Sequence, residues 1–235
     1  MQLPLDDPRT NQLTRIHAAL IGEFGRIERP DGRRLDPVWT LVQGVIGAQT
    51  KTAISNASTD AVRATYGTWE AVARADLSGL ERVLGNQTFP QVAAQRLQAC
   101  FTEIIRQRGL VDLRHLSNLP DVEAMAWLEA LPGVGRKIAA GVMNTSVFAR
   151  RQIVIDGHHR RVMQRTGIVP SRADTARTYD TLMPLLPVDW SAADIDEHHL
   201  LIKRLGQVHC RPAAPHCHAC PIVSDCATGR SKVRG

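Results

Sequence analysis

Aromatic residues are scarce in this chain: Phe, Tyr and Trp together make up 4% of its 235 residues. A core with so few rings must rest on Leu, Val, Ile and Ala. No apolar run approaches the roughly 18–20 residues that cross a bilayer, so no membrane role is expected. The opening stretch, MQLPLDDPRT, has neither the basic start nor the apolar centre of a secretory leader, and the protein is expected in the cytoplasm. There is no internal repeat and no low-complexity tract. What remains is ordinary: 43% hydrophobic and 22% charged residues describe a globular chain, long enough for one large domain or two small ones.

The formal charge of +6 is unevenly placed. Residues 131–165 hold seven Arg or Lys (Arg136, Lys137, Arg150, Arg151, Arg160, Arg161 and Arg165) against Asp156 alone. Residues 201–235 hold six (Lys203, Arg204, Arg211, Arg230, Lys232 and Arg234) against Asp225. The remaining residues are net acidic. Two basic segments on an otherwise acidic chain suit a polyanionic partner, though an uneven solvated surface gives the same count.

Four of the five cysteines fall close together with the spacing C-x6-C-x2-C-x5-C: Cys210, Cys217, Cys220 and Cys226. Nothing points to an oxidising compartment, so a single metal centre is the better reading than disulfides. Zinc and a [4Fe–4S] cluster both fit. Zinc sites often use two C-x2-C knuckles and this segment has one, which favours the cluster, while His209, His216 and His218 offer zinc an alternative ligand. Cys100 stands apart in an apolar helical pattern with Leu97, Phe101 and Ile104, as a buried inert thiol would.

The chain reads as helix after helix, and the fold class is all-α. Leu13, Ile16, Leu20 and Phe24 recur at helical spacing before Gly25. Residues 38–47 are apolar nearly all round, which predicts a central buried helix. Further helices are expected from Asn56 to Tyr66, after caps at Thr68 and Asp76, over 91–108 before Gly109, from Pro120 to Leu131, and at about 158–166, 172–185 and 192–207.

Between two helical patterns lies Leu131-Pro132-Gly133-Val134-Gly135. Gly133 and Gly135 permit positive φ and bare backbone. Arg136 then opens a helix whose first N–H groups lack intrahelical partners and carry the positive end of the macrodipole, a ready phosphate site. Such turns also serve as plain connectors. Lys137 sits in that first turn, where neighbouring positive charge favours the neutral, nucleophilic amine. Asp156 follows the apolar run Ile153-Val154-Ile155 and could accept a proton or stabilise a cationic sugar. A phosphate-binding lysine and a helix-capping aspartate are the plainer alternatives.

Taken together, LPGVGRKIAAGVMNT, IVIDGHHRRVMQRTG and the four-cysteine segment closely resemble the endonuclease III family of DNA glycosylases, in the helix-hairpin-helix superfamily. The likeness spans at least residues 38–226. It implies two helical domains with double-stranded DNA bound across the cleft between them: a six-helix hairpin domain over 37–150, and a cluster domain built from 1–36 and 151–235. It implies a monomer that excises a damaged base, an oxidised pyrimidine foremost, and then cuts the strand at the abasic site by β-elimination. Lys137 then matches the Schiff-base nucleophile, Asp156 the catalytic carboxylate, and Cys210, Cys217, Cys220 and Cys226 the ligands of a [4Fe–4S] cluster that orders its segment and holds Arg211 towards DNA. Gly133, Gly135 and Arg136 match the phosphate-binding hairpin. Gln49 matches a glutamine inserted into the space left by the extruded nucleotide, and Phe89, in the Gly85–Pro90 loop, is a candidate wedge against the opposite strand.

The text around the aspartate departs from the family's usual V-D-T-H. Asp156-Gly157-His158-His159-Arg160-Arg161-Val162 looks more like the mismatch-adenine glycosylases, with D-G-N-V-[KR]-R-V. Those enzymes usually lack the lysine and carry a long further recognition domain, so Lys137 and a chain ending nine residues after Cys226 favour the bifunctional enzyme. Removal of adenine or thymine from mismatches, and a DNA-binding module without catalysis, are the rival readings.

Overall fold

The computed structural model describes residues 7–27 and 36–234. Residues 1–6, which hold much of the stretch read for a leader, and 28–35, which run up to the expected boundary at 36–37, lie outside the described residues. Helices and short 3-10 turns make up the regular structure, with no extended strand among the described residues. None of these helices is long and apolar enough to cross a membrane. The chain divides into two compact units, Arg34–Arg150 and the combination of Met1–Arg33 with Arg151–Gly235.

The continuous unit contains α2 (Pro37–Ile46), α3 (Thr52–Tyr66), α4 (Trp69–Ala73), α5 (Leu77–Val83), α6 (Pro90–Arg108), α7 (Asp121–Glu129) and α8 (Arg136–Thr145). Its centre is α2, as its apolar surround predicts: Leu41, Val42, Val45 and Ile46 are buried, and the helix packs against α3, α6 and α8. The α2–α8 approach is close. A Cβ at Gly44 would lie 2.8 Å from Cγ2 of Ile138, so glycine there lets the hairpin helix seat on the core. Cys100 is fully buried on α6 beside Leu97 and Phe101, and burial pushes its thiol up to about 12, which leaves it inert.

Local punctuation sets the boundaries. The Thr68 and Asp76 side chains accept from Ala71 N–H and Gly79 N–H, as expected of N-caps. Gly109, at φ 79°, closes α6. Three boundaries differ from expectation. α3 begins at Thr52 rather than Asn56. Pro120 precedes α7 as its cap rather than standing inside it, its carbonyl accepting from Ala124 N–H. The helix expected over 172–185 starts at Thr175 because Asp174 caps it through Arg177 N–H, while Ala173 N–H already closes a turn onto Pro170.

The unit built from both chain segments contains α1 (Pro8–Phe24), α9 (Gly157–Thr166), α10 (Thr175–Leu182), α11 (Ala192–Val208) and α12 (Ala227–Arg234). α11 packs against both α1 and α9, and its Ile195, Leu201, Ile202 and Leu205 meet a core shared with Leu13, Ile16, Leu20, Val162 and Met163. Within that core lies a group of imidazoles. His17, His198 and Trp190 have ring centroids 4.7–5.4 Å apart, and His159 lies 5.7 Å from His198 and stacks on His199 at 5.6 Å.

Candidate catalytic and DNA-binding residues

In the continuous unit, Leu131 and Val134 are buried and pin the hairpin down, while Pro132, Gly133 and Gly135 are exposed. Val134 N–H donates to Leu131 O at 3.1 Å and closes the turn. Gly133 sits at φ 79°, where a side chain is strained. Gly135 does not: its φ of −109° suits any residue. Its use is openness instead, since a Cβ there would meet nothing within 4 Å. No side chain caps α8, so the amide dipoles of its first turn face outward at Gly135 and Arg136. Lys137 is exposed in that first turn. The Arg136 guanidinium is turned back onto Glu129 in an ion pair, so the helix terminus, rather than this side chain, is what the hairpin offers an anion. Glu129 had no sequence signal beyond lying one side of the hairpin from an arginine.

Gln49 lies past the end of α2 on an exposed turn, with φ 55°. The left-handed region costs a non-glycine residue about 1 kcal/mol, and such outliers gather at functional sites. The turn is tight because Gly47 admits no side chain: a Cβ would stand 2.6 Å from Gln43 O. Phe89 is no core residue. It is 48% exposed at the start of α6, and its side chain makes no cap bond.

In the other unit, Asp156 is the N-cap of α9, with Oδ1 accepting from His159 N–H at 2.8 Å. The plainer reading of this residue is therefore correct as structure, and it leaves the chemical one open. Burial raises the carboxyl, but His199, the His159 amide, the His159 ring and Lys203 together lower it further, and the net position is below the ordinary carboxylate value. Asp156 is anionic at neutral pH. His199, Lys203 and Gly206 share one face of α11 at helical spacing. His199 Nδ1 stands 3.3 Å from His159 Nδ1, and a Cβ at Gly206 would lie 2.7 Å from Cβ of His158. That face brings Lys203 and His199 to the start of α9. Neither residue had a signal in the sequence beyond its charge.

The four cysteines line one pocket with Val162, Leu205, Ile222 and Val223. Burial first, then the neighbouring cysteines, push the Cys220 thiol up to about 11, and Cys226 is raised for the same reasons. Such thiols ionise only with positive charge beside them. Polar groups already point at the sulfurs: Gly229 N–H donates to Cys226 Sγ at 3.3 Å, and Arg165 Nη1 to Cys210 Sγ at 3.3 Å. Among the described residues, no three His, Cys, Asp or Glu side chains are arranged to hold a single metal ion.

The basic segments serve the fold more than their charge suggested. Arg161 Nε donates to Cys210 O at 2.9 Å and Nη2 to Gly206 O at 2.9 Å. Arg165 donates to the carbonyls of Arg211 and Pro212, both at 2.7 Å. Arg151 donates to Trp190 O and Pro187 O, and Arg150 to Ser117 O. These guanidiniums satisfy loop carbonyls. Arg211 itself is exposed, on the loop that α9 holds.

The model of the HhH-GPD superfamily of base excision DNA repair proteins matches residues 42–187, a stretch that contains Gln49, Phe89, the hairpin, Lys137 and Asp156 and stops short of the four cysteines. Endonuclease III of Bacillus subtilis is 38% identical over 106 residues, covering 45% of this chain and 46% of that protein. Endonuclease III of Escherichia coli K12 is 35% identical over 130 residues, covering 55% and 57%. The chain thus spans about half the length of these curated relatives. A solved structure of a non-covalent endonuclease III–DNA complex shares the fold, with a TM-score of 0.74 at 22% identity over 96% of this chain and 99% of that one. With more than half its length matched by the family model, the chain belongs to the HhH-GPD superfamily of base excision DNA repair proteins.

Proposed function

We propose that this chain is a bifunctional DNA glycosylase and abasic-site lyase of the endonuclease III type, acting as a monomer in the cytoplasm on double-stranded DNA that carries a damaged base, an oxidised pyrimidine foremost, or an abasic site. The observation that carries the reading is Lys137, an exposed primary amine in the first turn of an uncapped helix, directly after the Gly133–Gly135 turn. The two compact units are the hairpin domain and the cluster domain of this reading.

The chemistry follows from the residues. A base inside a duplex is out of reach, so the nucleotide is extruded at a cost of a few kcal/mol. Gly133, Gly135 and the terminus opened by Arg136 hold a backbone phosphate through N–H groups, which positions DNA without reading its sequence. Gln49 fills the vacated space and Phe89 wedges the opposite strand. Lys137 Nζ attacks C1′ and the bond from C1′ to the base breaks, its electron pair leaving with the base. Asp156, held anionic, is the base for proton transfer and stabilises positive charge on the sugar. Ring opening gives a Schiff base. Loss of a proton from C2′ and of the 3′ phosphate cuts the strand, and water then releases the lysine.

The four cysteines fit a [4Fe–4S] cluster better than a lone zinc ion. Their sulfurs share a pocket, Cys210 and Cys226 Sγ accept from Arg165 Nη1 and Gly229 N–H, and their spacing holds one C-x2-C knuckle rather than the two of many zinc sites. The bound group would order a segment with little core of its own and keep Arg211 beside DNA. The purified protein is expected to be brown, with about four irons per chain. A colourless protein with one zinc per chain would overturn the cluster.

Borohydride trapping tests the enzyme reading. Wild-type protein is expected to form a covalent adduct with abasic duplex DNA, and Lys137→Ala none. Wild-type protein that leaves no adduct, and nicks no lesion-bearing duplex, removes the lyase.

A further inference from the structure

Gln49 and Phe89 are separated by forty positions, yet their loops are joined by a closed set of hydrogen bonds within the continuous unit. Thr88 N–H donates to Thr50 Oγ1 at 3.0 Å. Thr50 O–H donates to Thr88 Oγ1 at 3.0 Å. Thr88 O–H donates to Gln49 O at 3.0 Å. Each hydroxyl gives one proton and accepts one, so all three bonds form at once without conflict.

We propose that Thr50 and Thr88 are positioning residues: a hydroxyl clasp that makes the Gln49 turn and the Phe89 loop one rigid intrusion element, so that both side chains enter a duplex in a single step. The proposal rests on the reading of this chain as a base-extruding glycosylase.

Three features support the clasp as a device for DNA. The bond from Thr88 holds the carbonyl of the residue in the left-handed conformation, and so fixes where the Gln49 side chain leaves the backbone. Both hydroxyls lie on the protein surface, where they add little to a core that is complete beneath them. The chain also divides its labour along three successive residues: Gln87 turns inward and is 4% exposed, Thr88 turns to the Gln49 loop, and Phe89 turns outward. Holding both intruding groups in place beforehand removes ordering that DNA binding would otherwise have to supply.

The test compares duplex with single-stranded substrate. Thr88→Val keeps the side-chain shape and deletes two of the three bonds; Thr88→Ser keeps all three. Base extrusion is followed by the fluorescence of 2-aminopurine next to the target, and chemistry by single-turnover excision and borohydride trapping. Thr88→Val is expected to slow the fluorescence rise and duplex excision by about tenfold. Trapping on single-stranded abasic DNA should stay within about twofold, since no intrusion is needed there. Thr88→Ser should restore the duplex rates, and Thr50→Val combined with Thr88→Val should lose less than the product of the two single losses, because both singles delete the bond between the hydroxyls. Equal losses on duplex and single strand, or no loss on duplex, overturn the clasp. If wild-type protein extrudes bases but never traps, the lyase reading falls and a slowed rise in Thr88→Val still supports the clasp. If wild-type protein extrudes nothing, the clasp falls as well.

Discussion

Asp156→Asn is expected to fold, to bind duplex DNA with unchanged affinity, and to excise bases about 10³-fold more slowly. The two roles of the side chain separate at this substitution. Asparagine is as good an N-cap as aspartate, and its amide oxygen can still accept from His159 N–H, now 2.8 Å from Oδ1. The charge is what disappears, and with it the group that His199 and Lys203 keep ionised. Asp156→Ala provides the contrast. It loses the cap as well, at about 1 kcal/mol, and should show a lower Tm than Asp156→Asn with the same loss of excision. Single-turnover excision and thermal melts of the two variants read the two roles independently. Unchanged turnover in Asp156→Asn would leave the residue a cap and nothing more.

The second large effect is acid unfolding of the unit that holds the imidazoles. Burial lowers His17, His159 and His198 below the ordinary value of 6.5, with His159 pushed down to about 3 and the neighbouring rings adding to burial for His159 and His198. In the unfolded chain the same three rings take up protons as pH falls through 6.5, while the folded chain resists. The folded form therefore loses stability as pH falls below 6.5, by up to about 1.4 kcal/mol per pH unit for each ring that stays neutral in the fold. Against a stability of order 5–15 kcal/mol, that loss is large enough to lower the urea midpoint clearly between pH 7 and 5. Asp156 acts in the same direction lower down, since its lowered carboxyl adds stability that is lost as it protonates. Urea melts between pH 7 and 5 read the slope, and a flat profile would refute it. His198→Leu sharpens the test. Neither ring nitrogen of His198 has a hydrogen-bond partner among the described residues, so leucine removes an acid-sensitive group and two unsatisfied atoms, and the unfolding midpoint should move to lower pH.

What the sequence made legible was local. Thr68, Asp76, Gly25 and Gly109 act on backbone within a few positions, and they stand at helix ends as read. The apolar run of α2 is central because nothing polar interrupts it. The hairpin and the cysteine spacing are equally local, and so they could be found. What stayed hidden in the sequence were partners distant in the chain. Charge counting treats Arg161 and Arg165 as surface cations, but carbonyls more than forty positions away occupy them, and no composition records a carbonyl. The same holds for His17 and His198, which meet across some 180 positions, and for Thr50 and Thr88. Gln49 was picked out by its side chain; its left-handed backbone is enforced by neighbours and is invisible in residue type.

Gly157–Thr166 makes α9 a strut of ten residues, about 15 Å long at 1.5 Å per residue. One end begins at the carboxylate; the other, through Arg161 and Arg165, grips the strand of backbone that carries Cys210. Oxidative damage to Cys210 is therefore not confined to its own segment. Slackening that grip unloads the far end of the strut, and the acid at its tip inherits the wobble.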